Sequence, residues 1–180
     1  MTARQSGLHL ANLVTGVRLV LAVSLWLLAS AGWLLVGVAT TGALLDLVDG
    51  PIARRTARTS AFGARFDMET DAFLILTLSV LVWSTDKAGA WIVAAGLMRY
   101  AFIASGWLLP WMRADLPPSV RRQAVCVVQV VALIVALAPV VTPPLSTVVS
   151  AAGLAMLTWS FAVDTAWLAR RPGTRAPPAG

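Results

Sequence analysis

The chain has 180 residues, 58% of them hydrophobic and only 12% charged, and its mean hydropathy is +0.80. An average soluble domain carries about 25% charged residues, and half that share cannot cover a globule of this size with polar surface. The apolar content excludes a disordered chain, and a single cysteine, Cys126, excludes a disulfide scaffold. What is left is an integral membrane protein. Its net charge of +6, carried by 13 Arg and one Lys, belongs with cytoplasmic loops and an anionic membrane surface, not with nucleic acid.

Apolar stretches fall in order at 10–32, 34–53, 68–85, 88–110, 120–141 and 145–169. A span needs roughly 20 apolar residues, and helices satisfy their own backbone in lipid. The spacing therefore predicts an all-α polytopic bundle of six transmembrane helices within 1–170. The first stretch is too long for a signal-peptide core and lacks an A-x-A site, so it counts as a span. The connections are Ala31-Gly32, Arg54 to Arg65, Asp86-Lys87, Arg113 to Arg122, and Thr142-Pro143-Pro144. The Pro/Gly-rich segment 171–180 reads as a disordered tail.

Charge sets the orientation. Eleven Arg residues lie on the N-terminus, the second and fourth connections and the C-terminus, against Lys87 alone on the other three connections. By the positive-inside rule both termini are cytoplasmic. Trp33, Trp83, Trp107 and Trp111 fall near span ends, as an aromatic belt requires.

The acidic residues are few and gathered. Five of eight lie between Asp46 and Asp71: Asp46, Asp49, Asp67, Glu69 and Asp71. A carboxylate at membrane depth costs about 2.5–3.5 kcal/mol on insertion scales. Pairing with the Arg residues of the same segment accounts for one or two of the five, not for their spacing. Asp46, Asp49, Gly50 and Ala53 repeat at i, i+3, i+4 and i+7, one helical stripe. Asp67 and Asp71 stand at i and i+4 on the next helix. A short connection makes the two helices antiparallel neighbours, so four carboxylates converge near the cytoplasmic surface. Four like charges need a cation, and oxygen ligands select Mg²⁺, Mn²⁺ or Ca²⁺. Gly50, Ala53 and Gly63 either admit a bulky ligand to the backbone or pack helices tightly. Pro51 should kink the first acidic helix. Arg54 reaches a phosphate or anchors the loop.

These residues resemble a known family. Asp46-x2-Asp49-Gly50-x2-Ala53-Arg54-x8-Gly63-x3-Asp67-x3-Asp71 matches the motif of the CDP-alcohol phosphotransferases at every fixed position. Asn12-x2-Thr15-x2-Arg18 is similar to the start of that family's first helix, with Ala11 in place of the usual Pro. The resemblance implies a cell-membrane transferase with its active site facing the cytoplasm, commonly a homodimer. It would join a CDP-linked donor, usually CDP-diacylglycerol in bacteria, to an alcohol and release CMP. By position, Asp46, Asp49, Asp67 and Asp71 would hold two divalent cations, Mg²⁺ or Mn²⁺, and Asp71 would also take the hydroxyl proton. Asn12, Thr15, Gly50, Arg54 and Ser60 would hold the CDP moiety, with Ala53 and Gly63 making room for it.

The acceptor is less marked. Arg99 lies midway along the fourth apolar stretch, where a cation needs a partner or a wet cavity. Arg99, Arg121 and Arg122 suit a phosphate on the acceptor, such as glycerol 3-phosphate or inositol phosphate. Alternatively, Arg99 pairs with a motif aspartate and the other two anchor the loop. Glu69 points away from Asp67 and Asp71 on an ideal helix. Two rival functions gather carboxylates in a membrane too: a small divalent-cation carrier, which favours sites near the midplane, and an inactive scaffold that kept the fold.

Overall fold

The computed structural model describes residues 24, 25, 27, 32–55, 61–113, 116, 117 and 119–170, with backbone alone at 45–55, 61–68, 110 and 113. Among the described residues five helices are bounded: α1 (Trp33–Arg55), α2 (Ala61–Ser84), α3 (Val93–Leu108), α4 (Val120–Leu137) and α5 (Leu145–Ala169). Short 3-10 turns, Ala90–Ile92 and Pro110–Arg113, lead into and out of α3. The described residues contain no strand.

Ala90–Leu108, Val120–Leu137 and Leu145–Ala169 are each long and apolar enough to cross a bilayer. Trp33–Leu44 is apolar but shorter. α2 has the length, yet its first half carries Arg65, Asp67, Glu69 and Asp71. The chain is an all-helical membrane protein. Its expected first span, 10–32, lies outside the described residues except at Ser24, Leu25, Leu27 and Gly32, and the tail 171–180 lies wholly outside them.

Two expected boundaries need correction. The basic segment Arg54 to Arg65 is not a loop throughout: α1 runs on through Pro51 to Arg55, and α2 starts at Ala61. Arg121 and Arg122 belong to the first turn of α4 and not to the connection before it. Pro117 and Pro118 precede that turn; proline disfavours helix in the residue before it but opens a helix readily.

Fully buried Leu78, Leu81, Val82, Ile92 and Leu133 centre the core. They come from the second half of α2, the turn before α3, and α4. Cys126 packs against this cluster, half-buried, as a small core residue does. Lys87 ties the same end together. Its Nζ donates to the carbonyls of Ala138 (3.2 Å) and Val141 (2.6 Å), just past α4. Its own carbonyl accepts from Ser146 Oγ (2.6 Å) and Thr147 Oγ1 (3.2 Å) at the start of α5. The bonds tie the connection after α2 to the connection between α4 and α5. Gly32, at φ +50°, turns the chain into α1, and a Cβ there would lie 3.3 Å from Pro139 Cγ.

The end of α2, the end of α4 and the starts of α1 and α5 thus share one end of the bundle. α1 and α2 run antiparallel, so α1 finishes and α2 begins at the opposite end. Exposed Trp33, Trp83 and Trp91 ring the Lys87 end, while exposed Trp107 and Trp111 mark the other. Paired aromatic girdles of this kind sit at the two membrane–water interfaces.

Candidate active site

The acid-bearing turns lie at the end away from Lys87. Asp46, Asp49, Gly50, Ala53 and Arg54 fall in the last turns of α1, and Gly63, Asp67 and Asp71 in the first half of α2. Both segments are helical, which is the premise of the spacing argument. The side chains of Asp46, Asp49, Ala53, Arg54 and Asp67, and the surroundings of Gly50 and Gly63, lie outside the described residues. Asn12, Thr15, Arg18 and Ser60 lie outside them altogether. Asp71 is half-buried and interacts with a neighbour. Among the described residues no three His, Cys, Asp or Glu gather as a metal centre would need, and three of the four motif aspartates are not among those side chains.

Among the described residues the partner of Arg99 is Glu69. Arg99 Nη2 donates to Glu69 Oε1 at 2.6 Å, joining α3 to α2 two residues before Asp71. Arg99 Nε is buried and has no hydrogen-bond partner among the described residues. The pair is only half enclosed, with 31% of the Arg99 side chain and 45% of the Glu69 side chain exposed.

Arg121 is held far more completely. Nη1 donates to the Ser160 carbonyl (2.8 Å) and Ser160 Oγ (2.6 Å), and Nη2 to Asp164 Oδ1 (2.5 Å). The guanidinium also stacks over Trp159, 5.6 Å from the ring centroid, a cation–π geometry. Arg122 donates to the Pro117 carbonyl and lies 3.8 Å from Asp164 Oδ1. Asp164 is buried and closes the start of α4 onto the end of α5. Phe102 of α3 meets Phe161 of α5 edge to face, centroids 5.6 Å apart, and brings the two arginine groups into one half of the bundle.

A family model for CDP-alcohol phosphatidyltransferases matches residues 8–163. The chain belongs to that family. No curated protein and no solved structure matches it. Membership makes the protein a transferase of phospholipid synthesis that moves a phosphatidyl group from a CDP-linked alcohol to an alcohol acceptor. The matched stretch contains both acid-bearing helices, every described contact of Arg99, and most of α5.

Sequence reasoning missed Asp164 in this transferase. One signal was available: two arginines open one span and a lone acid closes the next. A short connection makes those spans an antiparallel hairpin, which sets the opening of the first against the close of the second.

Proposed function

We propose that this family member is a six-span enzyme of the cell membrane, with cytoplasmic termini and a cytoplasm-facing site. It moves the phosphatidyl group of CDP-diacylglycerol to a small phosphorylated polyol and releases CMP. The observation that carries the reading is the complete eight-position motif borne on α1 and α2, two antiparallel helices whose acidic turns belong to one end of the bundle. The carrier reading has no comparable support, because the family is one of transferases.

The donor set is all carboxylate. Asp46, Asp49, Asp67 and Asp71, spaced to share helix faces, fit hard divalent cations and offer nothing to softer ones. Two such cations, Mg²⁺ or Mn²⁺, would neutralise the diphosphate and stabilise the departing phosphate oxygen.

The chain's own residues supply the rest. Asn12, Thr15, Arg54 and Ser60 hold the CDP moiety, and Gly50, Ala53 and Gly63 leave it room. Asp71 accepts the proton of the acceptor hydroxyl, as a carboxylate within hydrogen-bond reach can. The hydroxyl oxygen bonds to the phosphorus that carries diacylglycerol. The bond from that phosphorus to the bridging oxygen breaks, and CMP leaves with the bridging oxygen. Arg99, with Arg122, receives the acceptor's phosphate, while Arg121 is committed to α5, and the enzyme works as a homodimer among membrane lipids. The test is an acceptor panel: purified protein, CDP-diacylglycerol, Mg²⁺ or Mn²⁺, and glycerol 3-phosphate, inositol phosphate, inositol or serine. CMP release that depends on a phosphorylated acceptor supports the reading; release with inositol or serine alone removes the acceptor assignment.

A further inference from the structure

The three acceptor-side arginines are not equally available. Arg121 already gives three hydrogen bonds to α5 and stacks on Trp159. It reads as a strap between two helices. Arg99 is different. Among the described residues its partner is Glu69, which touches Nη2 and leaves Nε buried and unsatisfied. Nε and Nη2 form one edge of the guanidinium, the fork that takes two oxygens of a carboxylate or phosphate side by side. Glu69 fills half of that fork with one oxygen. A buried donor left unpaired carries its whole desolvation cost, so a ligand with two oxygens on that edge outcompetes the present partner. Glu69 is able to give way: its side chain is 45% exposed and it makes no second bond among the described residues.

We propose that Glu69 is an exchangeable counter-ion of Arg99 and sets acceptor specificity. It holds the guanidinium in place while the acceptor site is empty, and the acceptor's phosphomonoester displaces it to engage both Nε and Nη2. The inference rests on the transferase reading above, in which Arg99 faces the acceptor. Glu69 acts through Arg99 and touches neither the donor nor the reacting phosphorus. Its negative charge competes with that of phosphate-bearing acceptors and so weakens their binding.

The experiment uses the full chain, with Glu69→Gln and Glu69→Ala as parallel variants, each first shown monodisperse. Binding of glycerol 3-phosphate and of inorganic phosphate is measured by calorimetry in dodecyl maltoside, which brings no lipid phosphate. It is then repeated in nanodiscs containing phosphatidylglycerol. In both variants we expect Kd for glycerol 3-phosphate to fall about fivefold, since a half-exposed pair is worth about 1 kcal/mol and 1.4 kcal/mol is tenfold. Acceptor KM should fall in parallel in the CMP-release assay, with kcat and the KM for CDP-diacylglycerol within twofold of wild type. An unchanged or weakened Kd in both variants overturns the proposal, as does a gain seen in dodecyl maltoside and lost in the nanodiscs, which would assign the fork to a lipid headgroup. Absence of CMP release with every acceptor, despite tighter phosphate binding, would count against the transferase reading and leave the counter-ion intact.

Discussion

Gly96 is where packing and site are most tightly coupled. A Cβ at this position would lie 2.3 Å from Leu76 Cα, 2.7 Å from Leu76 Cβ and 2.8 Å from Leu76 Cδ1. The first of these atoms is backbone, so no side-chain rotation relieves the clash. Restoring ordinary carbon contact at about 3.5 Å requires α3 to move from α2 by about 1.2 Å. Arg99 lies one turn further along α3 and would travel with it, pulling Nη2 from Glu69 Oε1, now at 2.6 Å. Overpacking of this kind costs about 1–3 kcal/mol, and the weakened ion pair adds up to about 1 kcal/mol. At about 2–4 °C per kcal/mol for a chain of this size, Gly96→Ala should lower Tm by about 2–16 °C. Thermal unfolding followed by tryptophan fluorescence in detergent measures it. Gly37→Ala is the control, because nothing lies within 4 Å of its added Cβ. It should leave Tm unchanged or raise it, since alanine favours helix by about 1 kcal/mol. If Gly96→Ala melts no lower than Gly37→Ala, the close approach of α2 and α3 is wrong, and the Glu69–Arg99 geometry goes with it.

Other consequences are local. Asp164→Asn removes the charge that holds Arg121; with 11% of the Asp164 side chain and 25% of the Arg121 side chain exposed, the loss should be about 1–3 kcal/mol, read as a lower Tm that Arg121→Met does not lower further. Gln129 is fully buried at the middle of α4, and neither side-chain amide atom has a partner among the described residues. Gln129→Leu should therefore raise Tm, by about 1–2 kcal/mol of stability; a drop would mean the amide is satisfied. A Cβ on Gly153 would come 2.8 Å from Gln129 Oε1, so Gly153→Ala should destabilise the wild type and be tolerated beside Gln129→Ala, a coupling that a double-mutant cycle reads directly.

Much of this was legible in the sequence because the solvent is so demanding. Long apolar runs have few options in lipid, and the observed helices Ala90–Leu108, Val120–Leu137 and Leu145–Ala169 fall inside stretches recognised by composition alone. Turns were equally plain: Gly32 takes a positive φ, and Asp86-Lys87 and Thr142-Pro143-Pro144 lie between helices. The motif spacing by itself points to the family, and the family match bears that out. Helix ends among charged residues were harder. Arg54, Arg55 and Arg65 look like loop, yet they lie in helix, because arginine is a good helix former. Ion-pair partners were hardest. Glu69 and Asp164 are far in sequence from Arg99 and Arg121, and only the packing of α2 on α3 and of α4 on α5 brings them together.

The account turns on whether the four-aspartate motif runs a phosphatidyl transfer. The measurement is CMP release from CDP-diacylglycerol by the purified full chain with Mg²⁺ or Mn²⁺ and a phosphorylated polyol, set beside Asp71→Asn and beside chelator. The account predicts steady release by the wild type, loss of at least about a hundredfold on removing the base at Asp71 with Tm intact, and loss on chelation restored by added metal. Release that survives Asp71→Asn, in a variant as well folded as the wild type, would contradict it.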